Sequence, residues 1–215
     1  MGKLTVTTFV TLDGVMQAPG GPAEDTSGGF RHGGWVVPLA DQKMGAFIFD
    51  VFSRADAFLL GRMTYDIFAG HWPKVKDPDD LVAHKLNTLP KYIASHSRQQ
   101  FDWEPSHAVH SVLDVVPRLK QQYAGEIQVH GSGALVQALF ACDLVDELNL
   151  LTFPVLLGQG KRLFSANTPL RTMKLKHCEA TDGGAVIAVY ARGGALATGD
   201  ATGQSTKAVF ESSGG

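Results

Sequence analysis

EIQVHGSGALVQALFACDLVDELNLLTFPVLLGQGKRLF, residues 126–164, decides the fold. Ile127 and Val129 belong to a short β-branched run that Gly131-Ser132-Gly133 interrupts. Leu135, Val136, Leu139 and Phe140 then recur at helical spacing, and Val145 to Phe153 reads as a second strand. A strand that meets a glycine turn and a helix N-terminus is suited to an anion. Backbone N–H groups point outward, the helix dipole favours negative charge, and glycine lets a phosphate approach closely. The same Gly-x-Gly pattern is also an ordinary tight turn, and both readings stand at this point.

Toward the N-terminus, Lys3 to Val10 has the apolar and threonine content of a strand buried on both faces, and Thr11-Leu12-Asp13-Gly14 ends it. Residues 15–38 show no periodicity and carry Trp35, which predicts a long functional loop rather than a disordered one. Asp41 is placed to cap a helix whose face is Met44, Phe47, Ile48, Val51 and Phe52. Asp56 to Leu60 reads as a strand that Gly61-Arg62-Met63-Thr64-Tyr65 turns into a helix reaching Ala69. A polar-faced helix over Asp77 to Leu89, strands over Lys91 to Ser95 and Ala108 to His110, and a helix over Leu113 to Tyr123 follow. Pro117 fits that last helix only near its first turn. Leu170 to Ala180 and Ala185 to Arg192 alternate about Asp182-Gly183-Gly184, a β-hairpin. The pattern predicts an α/β fold: a mostly parallel central sheet flanked by helices, with a C-terminal antiparallel hairpin. Residues 1–192 form the expected domain, and 193–215, rich in Gly, Ala, Ser and Thr, a flexible tail in which Val209 and Phe210 are candidates for docking.

Composition removes several functions. With Lys+Arg at 19 and Asp+Glu at 21, the net charge of -2 gives no basic face for nucleic acid. No apolar run reaches the roughly 18 residues of a membrane span. The N-terminus enters a strand at once, predicting no signal peptide and a cytoplasmic protein. Cys142 and Cys178 lie far apart and read as reduced and mostly buried. The eight histidines have no metal-ligand spacing, so no metal site is expected.

Candidate binding residues cluster at the ends of predicted strands, where open α/β sheets hold ligands. They are Gly61, Arg62 and Thr64, the turn Ser95-His96-Ser97-Arg98, and Gly131-Ser132-Gly133. Three phosphate-friendly turns on one edge suit a dinucleotide. Against this, Arg62 could pair with a surface carboxylate and Thr64 could cap a helix. Asp146 and Glu147, neighbours on a strand, point to opposite faces and read as structural ion pairs. Asp13 either anchors the long loop or touches substrate.

At this point the chain resembles dihydrofolate reductases through Gly61-Arg62-Met63-Thr64-Tyr65. It resembles more closely the reductase domain of riboflavin biosynthesis and its stand-alone relatives. Thr11-Leu12-Asp13-Gly14, Trp72, His130 to Leu135, Leu144 to Leu148 and Pro154-Val155-Leu156-Leu157-Gly158-x-Gly160-x-x-Leu163-Phe164 match further blocks in order, over residues 3–192. The resemblance implies a dihydrofolate-reductase-like fold, NADPH as cofactor and a homodimer. Block by block, it implies that Gly61, Arg62, Thr64, Gly131, Ser132, Gly133 and Ala134 hold the pyrophosphate. Ser95, Ser97 and Arg98 meet the 2′-phosphate, and Leu157, Gly158 and Gly160 form the far wall. Two positions depart from the pattern. His96 replaces an arginine that commonly meets the 2′-phosphate, which leaves NADPH preference to His96 or to Arg98 and the serines. His130 stands where the riboflavin-pathway enzymes carry an acid, so the specific uracil-type reaction of that pathway is not implied.

The expected function is an NADPH-dependent oxidoreductase acting on a small pterin- or pyrimidine-like heterocycle, with Asp13 and Trp35 on the substrate side. Asp13, Asp41 and Asp50 are the candidate acids. A non-catalytic dinucleotide-binding homodimer is the alternative, and a structural dimer whose turns bind nothing is a third reading.

Overall fold

In a computed structural model, residues 1–166, 168–200 and 202 are described. Eight strands form one sheet in the order β4-β3-β2-β5-β1-β6-β8-β7. They are β1 (Lys3–Thr11), β2 (Ala55–Gly61), β3 (Lys91–Ala94), β4 (Ser106–Val109), β5 (Glu126–His130), β6 (Glu147–Phe153), β7 (Met173–Ala180) and β8 (Val186–Arg192). β1 to β6 run parallel, and β8 lies antiparallel between β6 and β7. The expected α/β class, central strand and closing hairpin are all present.

The helices are α1 (Gln42–Ser53), α2 (Arg62–His71), α3 (Leu81–Thr88), α4 (Val112–Gln122) and α5 (Gly133–Ala141). Alternation along β1 and β5 separates two faces. Leu4, Val6, Ile127 and Val129 point toward α4 and α5, where they pack with Val116, Leu119, Val136 and Leu139. On the α1 face, Phe52 packs with Phe58, Leu60 and Tyr65, while Trp35, Phe153 and Ile187 form a further cluster. Asp41 caps α1, accepting from Met44 N at 2.9 Å, and its second oxygen accepts from Gly183 N at 2.6 Å in the hairpin turn. A Cβ at Gly183 would lie 2.2 Å from Leu39 O, so only glycine fits beneath that cap.

Several boundaries differ from the sequence reading for local reasons. α3 begins only at Leu81 because Asp80 is its cap, accepting from Ala83 N. α4 carries Pro117 beyond its first turn; buried Val116 and Leu119 on either side hold the helix through the missing N–H. β6 starts at Glu147 because Asp146 is occupied as a corner: it accepts from Leu4 N and pairs with Lys120 and Arg192. Glu147 pairs separately with Lys3 and Lys176, so the two neighbours serve different ion pairs. Cys178 is exposed on β7, contrary to the buried expectation, because β7 is an edge strand over which none of the described residues packs.

The segment 15–38 is tied down throughout. Val15 bridges Arg162, Met16 N donates to Lys161 O, and Trp35 Nε1 donates to Gln17 O at 2.9 Å. At the other end, Gly193 N donates to Thr172 O and Thr172 N to Gly194 O, so the hairpin continues two residues into the expected tail. Val209 and Phe210 lie outside the described residues.

No helix among the described residues is long and apolar enough to cross a membrane.

Candidate active site

A cleft of about 960 Å³ opens at the carboxyl ends of β1, β2, β3 and β5. Its lip is formed where β1 and β5 part, just after Thr7 pairs with His130. This is the location at which open α/β sheets bind ligands, and the volume lies at the upper end of small-molecule sites.

The first wall is built from the N-termini of α2 and α5. Gly131 takes φ 56 and Ser132 φ 57, left-handed values that turn the chain abruptly from strand into helix. Ser132 Oγ accepts from Gly61 N at 3.0 Å and donates to Thr64 Oγ1 at 2.9 Å, which holds the two turns side by side. α1, α3 and α4 each have a side-chain cap, from Asp41, Asp80 and Ser111. α2 and α5 have none. α2 and α5, whose N-termini form this wall, therefore leave their first N–H groups and the positive ends of their dipoles for something else. Both turns suit the pyrophosphate of a dinucleotide.

Gly61, Arg62, Thr64, Ser95, His96, Gly131, Ser132, Gly133 and Ala134 all line the cleft. Ser97, Arg98, Leu157, Gly158, Asp13, Trp35, Asp41 and Asp50 do not. Arg98 is committed outside it: Nη1 donates to Asp66 Oδ1 at 2.7 Å, Nε donates to Gln100 O, and the guanidinium lies over the Tyr65 and Phe101 rings. Asp66 also accepts from Arg62 Nη1 at 3.1 Å, so one carboxylate braces both arginines. Trp35 is buried against Phe153 at 5.5 Å, behind the wall rather than on it.

The three candidate acids are also accounted for. Asp13 accepts from Thr11 Oγ1 at 2.6 Å, from Leu157 N at 3.2 Å and from Gly158 N at 2.8 Å. These bonds, that from Thr11 first, lower its pKa to about 2, so it is an anchor for the 157–162 loop. Asp41 is the α1 cap, its pKa lowered by the N–H groups of Met44 and Gly183. Asp50 is exposed and pairs with Arg54.

Residues that the sequence reading passed over stand in the cleft instead. Gln17, Glu24, Asp25, Lys161 and Arg162 line its outer side. Gln17 bridges the long loop to Lys161 N, and Asp25 pairs with Lys161 Nζ. Burial raises the pKa of Glu24 although the N–H groups of Gly20 and Gly21 oppose that. Gly160 was the available signal: at φ 126, a Cβ there would sit 2.6 Å from Val15 Cγ1, so this glycine brings the basic pair against the loop.

The α1 side of the cleft is aromatic and apolar, with Phe9, Ile48 and Phe52. Among these sits His130, 7 % exposed and stacked on Phe52 at 4.4 Å and 17°. Burial drives its pKa down to about 3, so the imidazole is neutral.

The RibD C-terminal domain family matches residues 2–187 of the chain. The uncharacterized protein YyaP of Bacillus subtilis is 28% identical over 183 residues, 84% of this chain and 90% of that protein. Among solved structures, a protein ascribed to riboflavin biosynthesis from a Shewanella species superposes with TM-score 0.67 at 20% identity, covering 88% of this chain and 98% of the other. A pyrimidine reductase-like protein of Corynebacterium diphtheriae gives TM-score 0.58 at 12% identity, over 88% and 91%. Dihydrofolate reductase of Enterococcus faecalis, in complex with NADP(H), gives TM-score 0.57 at 13% identity, over 88% and 96%. These likenesses are likenesses of fold.

Proposed function

The chain belongs to the RibD C-terminal domain family, and from that premise we propose that residues 1–192 are an NADPH-dependent reductase of a small pterin- or pyrimidine-like heterocycle. One observation carries the reading: α2 and α5, whose N-termini stand side by side in one wall of the cleft, are the two α-helices left without side-chain caps. Gly61, Thr64 and Gly131 to Ala134 would cradle the pyrophosphate with backbone N–H groups. Arg62, Ser95 and His96, at the same edge, would take the adenosine end with its 2′-phosphate. The heterocycle would lie on the α1 side, against Phe52 and Ile48. NADPH, when bound, supplies the hydride, and the protein supplies placement and a water-poor wall. Gln17 and Asp25, through Lys161, hold the long loop closed over the outer side. Glu24 is the carboxyl group on the cleft with a raised pKa and is the candidate proton source.

Binding without turnover is the second reading, favoured by the fate of Asp13, Asp41 and Asp50, each engaged away from the cleft. Thermal shifts with NADPH, NADH and FAD, followed by NADPH oxidation across pterins and pyrimidines, separate the two. At about 100 times its dissociation constant NADPH should stabilise the fold by about 2.7 kcal/mol. Gly131→Val should abolish the shift, because a branched residue at φ 56 is strained and fills the cradle. No stabilisation of the wild type by either nicotinamide dinucleotide would remove the reductase and the binding readings together.

A further inference from the structure

We propose that His130 is a fixed hydrogen-bond acceptor in the cleft and that, with the Thr7 hydroxyl as neighbouring donor, it selects a flat heterocycle presenting a neutral N–H beside a carbonyl. The assignment of this end of the cleft to substrate rests on the reductase reading.

Alternation along β5 sends Glu126, Gln128 and His130 to one face, toward α1, and the three side chains form a chain of hydrogen bonds. Arg54 Nε donates to Glu126 Oε1 at 2.8 Å. Gln128 Nε2 donates to Glu126 Oε2 at 2.9 Å and to Val51 O at 2.6 Å. An ion-paired carboxylate and a backbone carbonyl only accept, so the amide nitrogen of Gln128 must face them and its Oε1 must face His130. The contact from Oε1 to His130 Nε2 is 3.1 Å, which makes Nε2 the protonated nitrogen. A neutral imidazole has one N–H. Nδ1 is therefore a bare lone pair, and it has no partner among the described residues.

The bond to Gln128 and the rings beside it hold the imidazole in this orientation. Phe52 stacks on one side at 4.4 Å, and Phe58 tilts against it at 5.9 Å. Thr7 lies directly across from His130 in the β1–β5 register and also lines the cleft. Its Oγ1 accepts from Asn149 Nδ2 at 3.0 Å, while its own hydrogen has no acceptor among the described residues. An acceptor and a donor side by side, under aromatic walls, complement the lactam edge of a pyrimidinone- or pterin-type ring. Because its N–H is turned inward to Gln128, His130 orients the ring and does not deliver a proton to it.

The test has two parts. The 15N spectrum of histidine-labelled, ligand-free protein should show His130 as the Nε2–H tautomer. Dissociation constants are then measured by chemical-shift titration for 4-pyrimidinone and its N3-methyl derivative, with and without saturating NADPH. Wild type should bind the N–H ring at least about tenfold more tightly than the methylated one, as expected when an analogue leaves a buried polar group unpaired. His130→Phe keeps an aromatic ring for Phe52 to stack on and should lose the discrimination. An Nδ1–H tautomer, equal binding of the two rings, failure of wild type to bind 4-pyrimidinone, or discrimination surviving in His130→Phe would each overturn the proposal. Failure of the reductase reading alone would appear differently: no NADPH binding or no turnover, with tautomer and ring discrimination intact.

Discussion

Ser132 and Thr64, 68 residues apart in the chain, are joined hydroxyl to hydroxyl at 2.9 Å, and the same Ser132 oxygen accepts from Gly61 N. The bond fixes the spacing of two helix N-termini just beyond the ends of β2 and β5, which pair side by side in the sheet. Ser132→Ala removes it and keeps a Cβ in the left-handed region, so it should cost about 1–2 kcal/mol of stability. Ser132→Gly removes the same bond but relieves the backbone, and should cost less. Both should weaken NADPH binding. Chemical denaturation and a binding isotherm on each variant check this; unchanged affinity in both would mean that the spacing of the turns does not matter to the ligand.

The second prediction concerns cofactor choice. Arg98 is held by Asp66, Gln100 O and two rings, whereas Arg62 lies on the cleft. Arg62→Ala should cost NADPH about 1.5–3 kcal/mol of affinity, the range for hydrogen bonds to charged groups, and leave NADH nearly untouched. Arg98→Ala should shift the NADPH-to-NADH ratio by less than about threefold, under roughly 0.7 kcal/mol. The measurement is the pair of dissociation constants for each variant. A preference that depends on Arg98 and not on Arg62 would reverse the assignment.

The same arginines show where the sequence was legible and where it was not. Strands, helices and the two glycine turns could be read because each is written in local periodicity and in residues with special φ values. The turns at Gly61 and Gly131 were legible for that reason, Gly61 as the end of a strand pattern where a helix pattern begins and Gly131 through its left-handed φ of 56. Arg98 was not, since its partner Asp66 lies 32 residues away and only the packing of α2 against β3 brings them together. Asp13 was left between anchor and substrate contact because its partners, Leu157 N and Gly158 N, are backbone groups more than 140 residues downstream. Glu24 and Lys161 lie in segments without periodicity, and their place on the cleft depends on a loop-to-loop pairing that no pattern announces.

Assembly gives the third prediction. β6 lies inside the sheet, between β1 and β8, and offers no edge to a second copy. Among the described residues β7 is an edge strand exposed along most of its length, with Leu175 52% exposed and Val186 of its β8 neighbour 40% exposed. An uncovered edge of that length is a liability unless another chain or a charge covers it. A homodimer through β7 should give twice the 23.0 kDa chain mass in light scattering. Leu175→Lys should shift it toward the single-chain mass. A wild type that stays at one chain at micromolar concentration would remove the dimer.

The last prediction follows from the buried imidazole. His130 has its pKa lowered by burial to about 3, against an ordinary value near 6.5. Between those two values the unfolded chain binds a proton at this position and the folded chain does not. Stability therefore rises with pH through the window and is level above it. From pH 7 down to pH 5 this one group should remove about 2 kcal/mol, and more as pH falls toward 3. Asp13 acts elsewhere: with a pKa lowered to about 2, its contribution is lost only as pH falls below the ordinary carboxylate range, so it does not contaminate a comparison at pH 5 to 7. Urea unfolding of wild type and His130→Phe at pH 7, 6 and 5 isolates the term, because the remaining seven of the eight histidines are common to both proteins. The difference between the two proteins should change by about 2 kcal/mol across that range, with the wild type losing more. Parallel pH profiles would mean that His130 takes up its proton in the folded state, and the inward hydrogen bond to Gln128 could not then account for its neutrality.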